Sequence, residues 1–237
     1  SDLWKEDKKT ETNEVMFALQ HSAKHKIASN YGKSYYPSDY SPNAGWADYY
    51  GNEDFFKAYP NDDRKEWNYM TEWKIKSGEI IPYTESADKL PAISKYYDYD
   101  EGAPGKSAQS NGITCIYRYA EVLLMYAEAS TRATNSVNQD ALNAIQEVQK
   151  RAGYQNRQIE LTTTTEPAAF LAAVSNERGW EFFAEMKRWF ELVRLEKVKE
   201  VRAEEWDAST FNTNHHYYFP VPYQQVDLAG WTNNAGY

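Results

Sequence analysis

Residues 117–153, YRYAEVLLMYAEASTRATNSVNQDALNAIQEVQKRAG, carry two consecutive helical periodicities separated by a short polar turn, and this constrains the fold more than any other stretch of the chain. In the first half Ile116, Ala120, Leu123 and Ala127 recur at intervals of four, three and four, which is one helical face, with Glu121 and Glu128 off that stripe. The second half opens on a cap. Asn138 can accept free backbone N–H groups, Asp140 suits the positive helix end, and Val137 can staple onto Leu142. Ala141, Ile145, Val148 and Ala152 form its inward stripe, Lys150 and Arg151 favour the negative end, and Gly153 can turn left-handed past the last turn. Two antiparallel helices are predicted.

Such a pair resembles one tetratricopeptide unit, a repeat that does not bury its apolar face alone. No second copy of that quality occurs in the 237 residues, so partner helices are expected in sequence outside them. Residues 13–20 alternate around Val15, Phe17 and Leu19, the period of a strand with one buried face. Between Ser29 and Gly112 no helical stripe lasts beyond about two turns, and long irregular loops rich in aromatic residues are expected. After Gly153 a threonine-rich turn, Thr162–Thr165, is read as the cap of a helix with Pro167 in its first turn and Phe170, Leu171 and Val174 inward. That helix is expected to run on through Glu177–Arg194 with a break near Lys187, where its apolar face changes. The fold class is mainly α: tetratricopeptide-like helical pairs in an α/α superhelix, with long irregular loops and a few short strands. A loop-rich aromatic region over 1–112 and a helical region over 113–237 form one continuous unit in this reading.

Bulk properties remove several classes of function. The formal charge of −9 argues against a nucleic-acid partner, because such proteins present a basic face. Mean hydropathy is −0.83, and no run of eighteen apolar residues is present. The one cysteine, Cys115, flanked by Ile113 and Ile116, rules out an intrachain disulfide and reads as a buried thiol. No GxSxG, P-loop or GxGxxG motif is present. His21 and His25 lack a third ligand, and His215 and His216 sit in a polar loop, so no metal site is expected. Asn61, Asp62 and Asp63 offer oxygen atoms for calcium but read more simply as a turn. No cofactor is expected.

Glu177, Glu181 and Glu185 recur at four-residue spacing, three carboxylates on one helix face. Paired carboxylates can hydrolyse glycosides, but Arg178, Lys187, Arg188 and Arg194 lie near enough to offset these, so structural ion pairing on a solvated face is expected. The aromatic loops carry the better functional signal. Tyr and Trp offer a flat apolar face with a polar edge, which suits the C–H face of a sugar, while Asp and Asn suit its hydroxyls. Tyr35, Tyr36, Trp46, Tyr49, Tyr50, Trp67, Tyr69 and Trp73, interspersed with Asp39, Asn43, Asp48, Asn52 and Asp54, are the candidates. Within them GWADYYGN, holding Trp46, Asp48, Tyr49, Tyr50 and Asn52, is hydrophilic around its rings and flanked by glycine.

Three blocks in this order resemble the C-terminal half of the SusD/RagB family of surface glycan-binding lipoproteins of Bacteroidota. They are RYAEVLLMYAEA (118–129) with its partner helix ending in KRAG, then ERGWEFFAEMKRWFELVR (177–194), then FPVPYQQVDL with the terminal TNNAGY. Gln146 and Gln149 replace an Asn and an Arg usual in the KRAG helix, Gln225 replaces an acid, and Ala235 a proline. The resemblance implies non-catalytic binding of oligo- or polysaccharide at the cell surface and delivery to a TonB-dependent SusC-like transporter. It also implies outer-membrane localisation through a lipid anchor, with that anchor and further helical repeats lying before Ser1. It transfers no ligand-contacting residue. Two rivals remain from the residues: a glycoside hydrolase of helical fold, and a tetratricopeptide-type scaffold that binds peptides.

Overall fold

The computed structural model describes residues 2–5, 8–22, 24–41, 44–96, 110–201 and 211–237; the candidate Asn43 lies outside them. Two compact units are present, Ser1–Glu185 and Met186–Tyr237. The first begins with β1 (Val15–Gln20), which pairs antiparallel with β6 (Ile113–Arg118). Between them lie α1 (Tyr31–Tyr35), α2 (Glu53–Ala58), α3 (Asp63–Asn68), β2 (Tyr69–Met70), β3 (Glu72–Lys74), β4 (Ile80–Pro82) and β5 (Ala92–Ile93). No described helix in this stretch exceeds six residues, in line with the short apolar stripes of its sequence. Three longer helices follow: α4 (Tyr119–Thr134), α5 (Gln139–Arg151) and α6 (Pro167–Glu181).

The helical pair forms as its pattern predicts, with a later start. Ile116 and Tyr117 belong to β6 rather than to a helix, because β1 supplies a hydrogen-bonding partner up to Arg118. Ala120, Leu124, Ala127 and Thr131 form the buried stripe of α4, and Leu123 packs at its edge. Glu121, expected off the stripe, is buried and accepts from Arg178 Nη2 at 3.4 Å. Asn138 caps α5 by accepting from Ala141 N at 2.8 Å, Val137 packs against the core cluster to which Leu142 belongs, and Gly153 has φ +88°. Asp63 crowds that glycine as well: a Cβ there would lie 2.3 Å from Asp63 Oδ2. Phe170 and Val174 of α6 complete the apolar core with Leu142, Ile145 and Val148, each fully buried side chain contributing roughly 1.5–3 kcal/mol.

Other expectations change in detail. Phe17 and Leu19 are exposed, while Val15 and Ala18 pack inward, because register shifts between Val15 and Phe17 and between Phe17 and Ala18 break the simple alternation. Glu166, not a threonine, caps α6 by accepting from Ala169 N at 2.8 Å. Thr162 is instead held by the glutamines of α5: Gln149 Nε2 donates to its hydroxyl, Gln149 Oε1 accepts from its amide, and Gln146 Nε2 donates to its carbonyl. Helix α6 stops at Glu181 and a new helix, α7 (Arg188–Arg194), begins past left-handed residues at Ala184 and Met186. Cys115 is buried, and burial first, then Glu185, pushes its thiol up to about 12.

The three glutamates are not on a solvated face. Glu177, Glu181 and Glu185 are buried, and their partners come from distant sequence. Arg64 of α3 donates to Asp62, to Glu177 Oε1 at 2.6 Å and to Glu181 Oε2 at 2.8 Å. Arg118 of β6 donates to Glu181, to both oxygens of Glu185 and to Glu14. Lys95 reaches Glu185 at 2.5 Å, and Arg151 of α5 pairs with Glu181. Arg118 Nη2 and Lys95 Nζ also donate to the Glu181 carbonyl, so cations satisfy the free C-terminal end of α6. Arg178 pairs with Glu121, and Arg188, in the second unit, with Glu191.

In that second unit, α7 is followed by α8 (Val198–Val201), α9 (Thr213–His216) and α10 (Tyr223–Ala229). Its last residues fold back on the FPVPY turn. Asn233 Oδ1 accepts from Val221 N at 2.8 Å, Tyr237 stacks on His215 at 4.1 Å, and its hydroxyl donates to Tyr218 O at 2.9 Å.

Removing one partner from a buried cluster leaves an uncompensated charge, so Arg118→Met should cost about 3–5 kcal/mol. Arg132→Met, at the exposed Arg132–Glu128 pair, should cost under about 1 kcal/mol. Urea unfolding of both variants checks the contrast. Burial pushes Glu181 and Glu185 up, but Arg118 with Arg151 and Arg64 holds Glu181 well below the usual carboxylate range, and Arg118 with Lys95 lowers Glu185. Their contribution is therefore complete above the unfolded value of about 4.3 and is lost as pH falls through the lowered folded values. Glu177, raised by burial against Arg64, acts in the opposite sense above that point. The urea midpoint should be lower near pH 3 than near pH 6.

Candidate glycan-binding surface

Loop 45–51 is fastened to α1 by hydrogen bonds that answer the free carbonyls at the end of that helix. Trp46 N donates to Lys33 O at 2.6 Å, Ala47 N to Tyr36 O at 3.0 Å, and Asp48 N and Tyr49 N to Ser34 O at 2.9 and 3.1 Å. Gly45 N and Gly51 N donate to Pro37 O and Pro91 O. Both glycines are required by close packing: a Cβ on Gly45 would lie 2.0 Å from the Tyr36 carbonyl oxygen, and one on Gly51 2.5 Å from the Tyr69 ring. Ala47 is left-handed at φ 57°, a conformation that a non-glycine residue holds only where its surroundings fix it. The loop is irregular in secondary structure but has a defined backbone.

This backbone turns Trp46 and Tyr49 outward, with 52% and 62% of their surface exposed. Tyr49 meets buried Tyr35 edge to face at 6.0 Å, so one side of the ring is supported. Lys33 Nζ lies 5.0 Å from the centre of the Trp46 indole. Half-buried Tyr50 donates its hydroxyl to Asp88 Oδ2 at 2.7 Å; partial burial and that bond hold its phenol above the usual range. Asp48 is exposed. Asn52 is exposed too, and its side-chain oxygen caps α2 by accepting from Phe55 N at 2.9 Å.

The remaining candidates separate from this group. Tyr69 and Trp73 are buried, so neither presents a ring face to a ligand. Tyr69 packs among Phe56, Tyr59 and Phe183 at 4.8, 5.7 and 4.6 Å, and Trp73 donates its indole N–H to Asp39 Oδ1 at 2.8 Å. Their sequence context is as polar as that of Trp46; tertiary packing distinguishes them. Trp67 is exposed on α3, at a cavity of about 240 Å³ that also involves Arg64, Arg118, Arg151 and Glu181 and none of residues 45–52. Asp62 caps α3 through Arg64 N and pairs with the Arg64 guanidinium, and Asp63 pairs with Arg157, so both aspartates of the triplet serve internal contacts. Among the described residues no three His, Cys, Asp or Glu side chains form a metal-binding group. The candidates Tyr35 and Tyr36 are buried too, Tyr35 lying against Tyr49, while Lys33 and Asp88 join the surface although the sequence did not single them out, because each is brought there by packing.

Comparison with known proteins identifies the fold and the family. The SusD family model matches residues 46–237. SusD-like protein P2 of Formosa agariphila is 28% identical over 200 residues, 76% of this chain and 39% of that protein. A SusD superfamily structure from Parabacteroides distasonis superposes with a TM-score of 0.78 at 22% identity, covering all of this chain and 52% of the other. Surface glycan-binding protein A of Bacteroides thetaiotaomicron, solved in complex with laminarihexaose, gives 0.69 at 23% identity, covering 98% and 54%. The chain thus spans about half the length of the solved structures it matches and less of the curated relatives. It has the SusD-like fold, mainly helical with few short strands, and belongs to the SusD family.

Proposed function

We propose that this protein binds oligo- or polysaccharide without transforming it, through the surface formed by Trp46, Tyr49 and Tyr50 with Asp48 and Asn52. The observation that carries the reading is the fastening of loop 45–51 to α1, which holds two exposed rings in place before a ligand arrives. A pre-ordered surface loses less conformational freedom on binding, and flat rings with hydroxyl and carboxylate neighbours match the two faces of a pyranose. Membership of the SusD family, and likeness to proteins described as surface glycan-binding and laminarin-binding, support it.

Cell-surface location, a lipid anchor outside this chain and delivery to a SusC-like transporter follow from the same family reading. In it, residues 1–112 carry the ligand loops and 113–237 the scaffold. The tetratricopeptide-like character of α4 and α5 is supported by the outer side of α4, where Tyr119, Val122, Met125 and Tyr126 are exposed opposite the buried stripe. A helix apolar on both sides normally packs on both, as stacked repeats do. The hydrolase alternative is disfavoured by the position of the glutamates. Glu177, the one whose carboxyl is raised, is fully buried and engaged by Arg64, Gln149 and Tyr154, out of reach of a glycosidic oxygen.

Trp46→Ala should weaken glycan binding about tenfold or more, on the order of 1.4 kcal/mol, while leaving the melting temperature within a degree or so because the ring is exposed. A glycan array with analysis of the recovered ligand checks both parts. Unchanged affinity in a folded variant would remove Trp46 from the surface, and cleaved ligand would favour the hydrolase.

A further inference from the structure

Trp46 and Lys33 are joined twice, by the main-chain bond from Trp46 N to Lys33 O and by the ammonium over the indole. The first contact sets the spacing of the two backbones, which puts the indole within reach of the lysine head. Among the described residues no carboxylate lies within ion-pair distance of Lys33, although acids outnumber Lys and Arg by 35 to 26 in the chain. Two acids around the loop are engaged elsewhere, Asp39 accepting from Trp73 and Asp88 from Tyr50, whereas Asp48 of the loop is exposed and makes no ion pair with Lys33. The same pairing recurs on the other exposed tryptophan of the candidate set, where Lys5 Nζ lies 5.8 Å from the centre of the Trp67 ring.

An exposed ammonium–indole contact is weak and leaves the other N–H donors of the lysine head open to a ligand. A sugar stacked on the indole places its ring substituents at the rim, within reach of a lysine head already there. A neutral hydroxyl accepts from that ammonium with only one partner charged; a carboxylate or sulfate adds a full opposite charge, and with it the Coulomb attraction of an ion pair. We infer that the glycan stacked on Trp46 carries an anionic substituent, carboxylate or sulfate, and that Lys33 reads it. The inference rests on the glycan-binding reading of Trp46.

Laminarin, xylan and galactan, each unmodified, carboxymethylated and sulfated, separate the possibilities by affinity electrophoresis and calorimetry on the 237-residue protein. At least one backbone should bind tenfold or more tightly in a charged form, the preferred form identifying the substituent, and that preference should shrink as ionic strength rises. Lys33→Met, which keeps the aliphatic stem, and Lys33→Gln should each bring the charged-to-neutral ratio to within twofold of one, whereas exposed Lys76→Met should leave the ratio unchanged. Binding that depends on Trp46 but gains nothing from charge overturns the anionic specificity alone, as does a preference that survives in both folded Lys33 variants. Absence of binding to every polymer overturns the glycan reading and this inference with it.

Discussion

The buried ionic cluster around Glu177, Glu181 and Glu185 is the constraint on which the first unit depends. Removing a carboxylate or a guanidinium from water costs several kcal/mol, and the loss is offset only when donors and acceptors are closely matched. Here the matching draws Arg64 from α3, Lys95 from the segment after β5, Arg118 from β6 and Arg151 from α5 onto the end of α6. The helical core could pack from the apolar stripes of α4, α5 and α6 alone. The loop-rich residues could not be placed by such stripes, because they have none of useful length. Charge anchors them instead, and the cost of misplacing any one partner makes the arrangement specific.

From that anchor the position of the proposed binding surface follows by contact. Arg64 fixes α3; Tyr69, next after α3, stands within the aromatic group of Phe56, Tyr59 and Phe183; Gly51 packs directly against the Tyr69 ring. Loop 45–51 is thus held at one end by that packing and along its length by the carbonyls of α1. Tyr69 and Trp73, although unavailable to a ligand, support the surface that Trp46 and Tyr49 present. The division of labour is between rings that fill the irregular region and rings that project from it.

Local physics made some of this legible in the sequence. Asn138, Gly153 and the stripe of α5 act within a few residues, and they form as their pattern requires. The strand at residues 13–20 was visible too, but its inward side was not, because bulges depend on the partner strand. The glutamate triplet was legible as ion-paired and illegible as buried: its cations lie 63 to 117 residues away, with Arg151 nearer at 30, and the adjacent Arg178 and Arg188 pair instead with Glu121 and Glu191. Among the aromatic candidates, composition could not separate exposed Trp46 from buried Trp73, since a single indole hydrogen bond to Asp39 and tertiary packing make the difference.

Ligand binding is proposed on rings held by the scaffold, not on the helices that carry the family resemblance. Hydroxyl-radical footprinting of the protein with and without a bound oligosaccharide reads this directly, because it reports side-chain accessibility ring by ring. Trp46 and Tyr49 should be labelled in the free protein and protected in the complex, with Tyr69 and Trp73 weakly labelled in both. Unchanged labelling of Trp46 and Tyr49 in a saturated complex, with protection moving to Tyr119 and Tyr126 on α4, would contradict it.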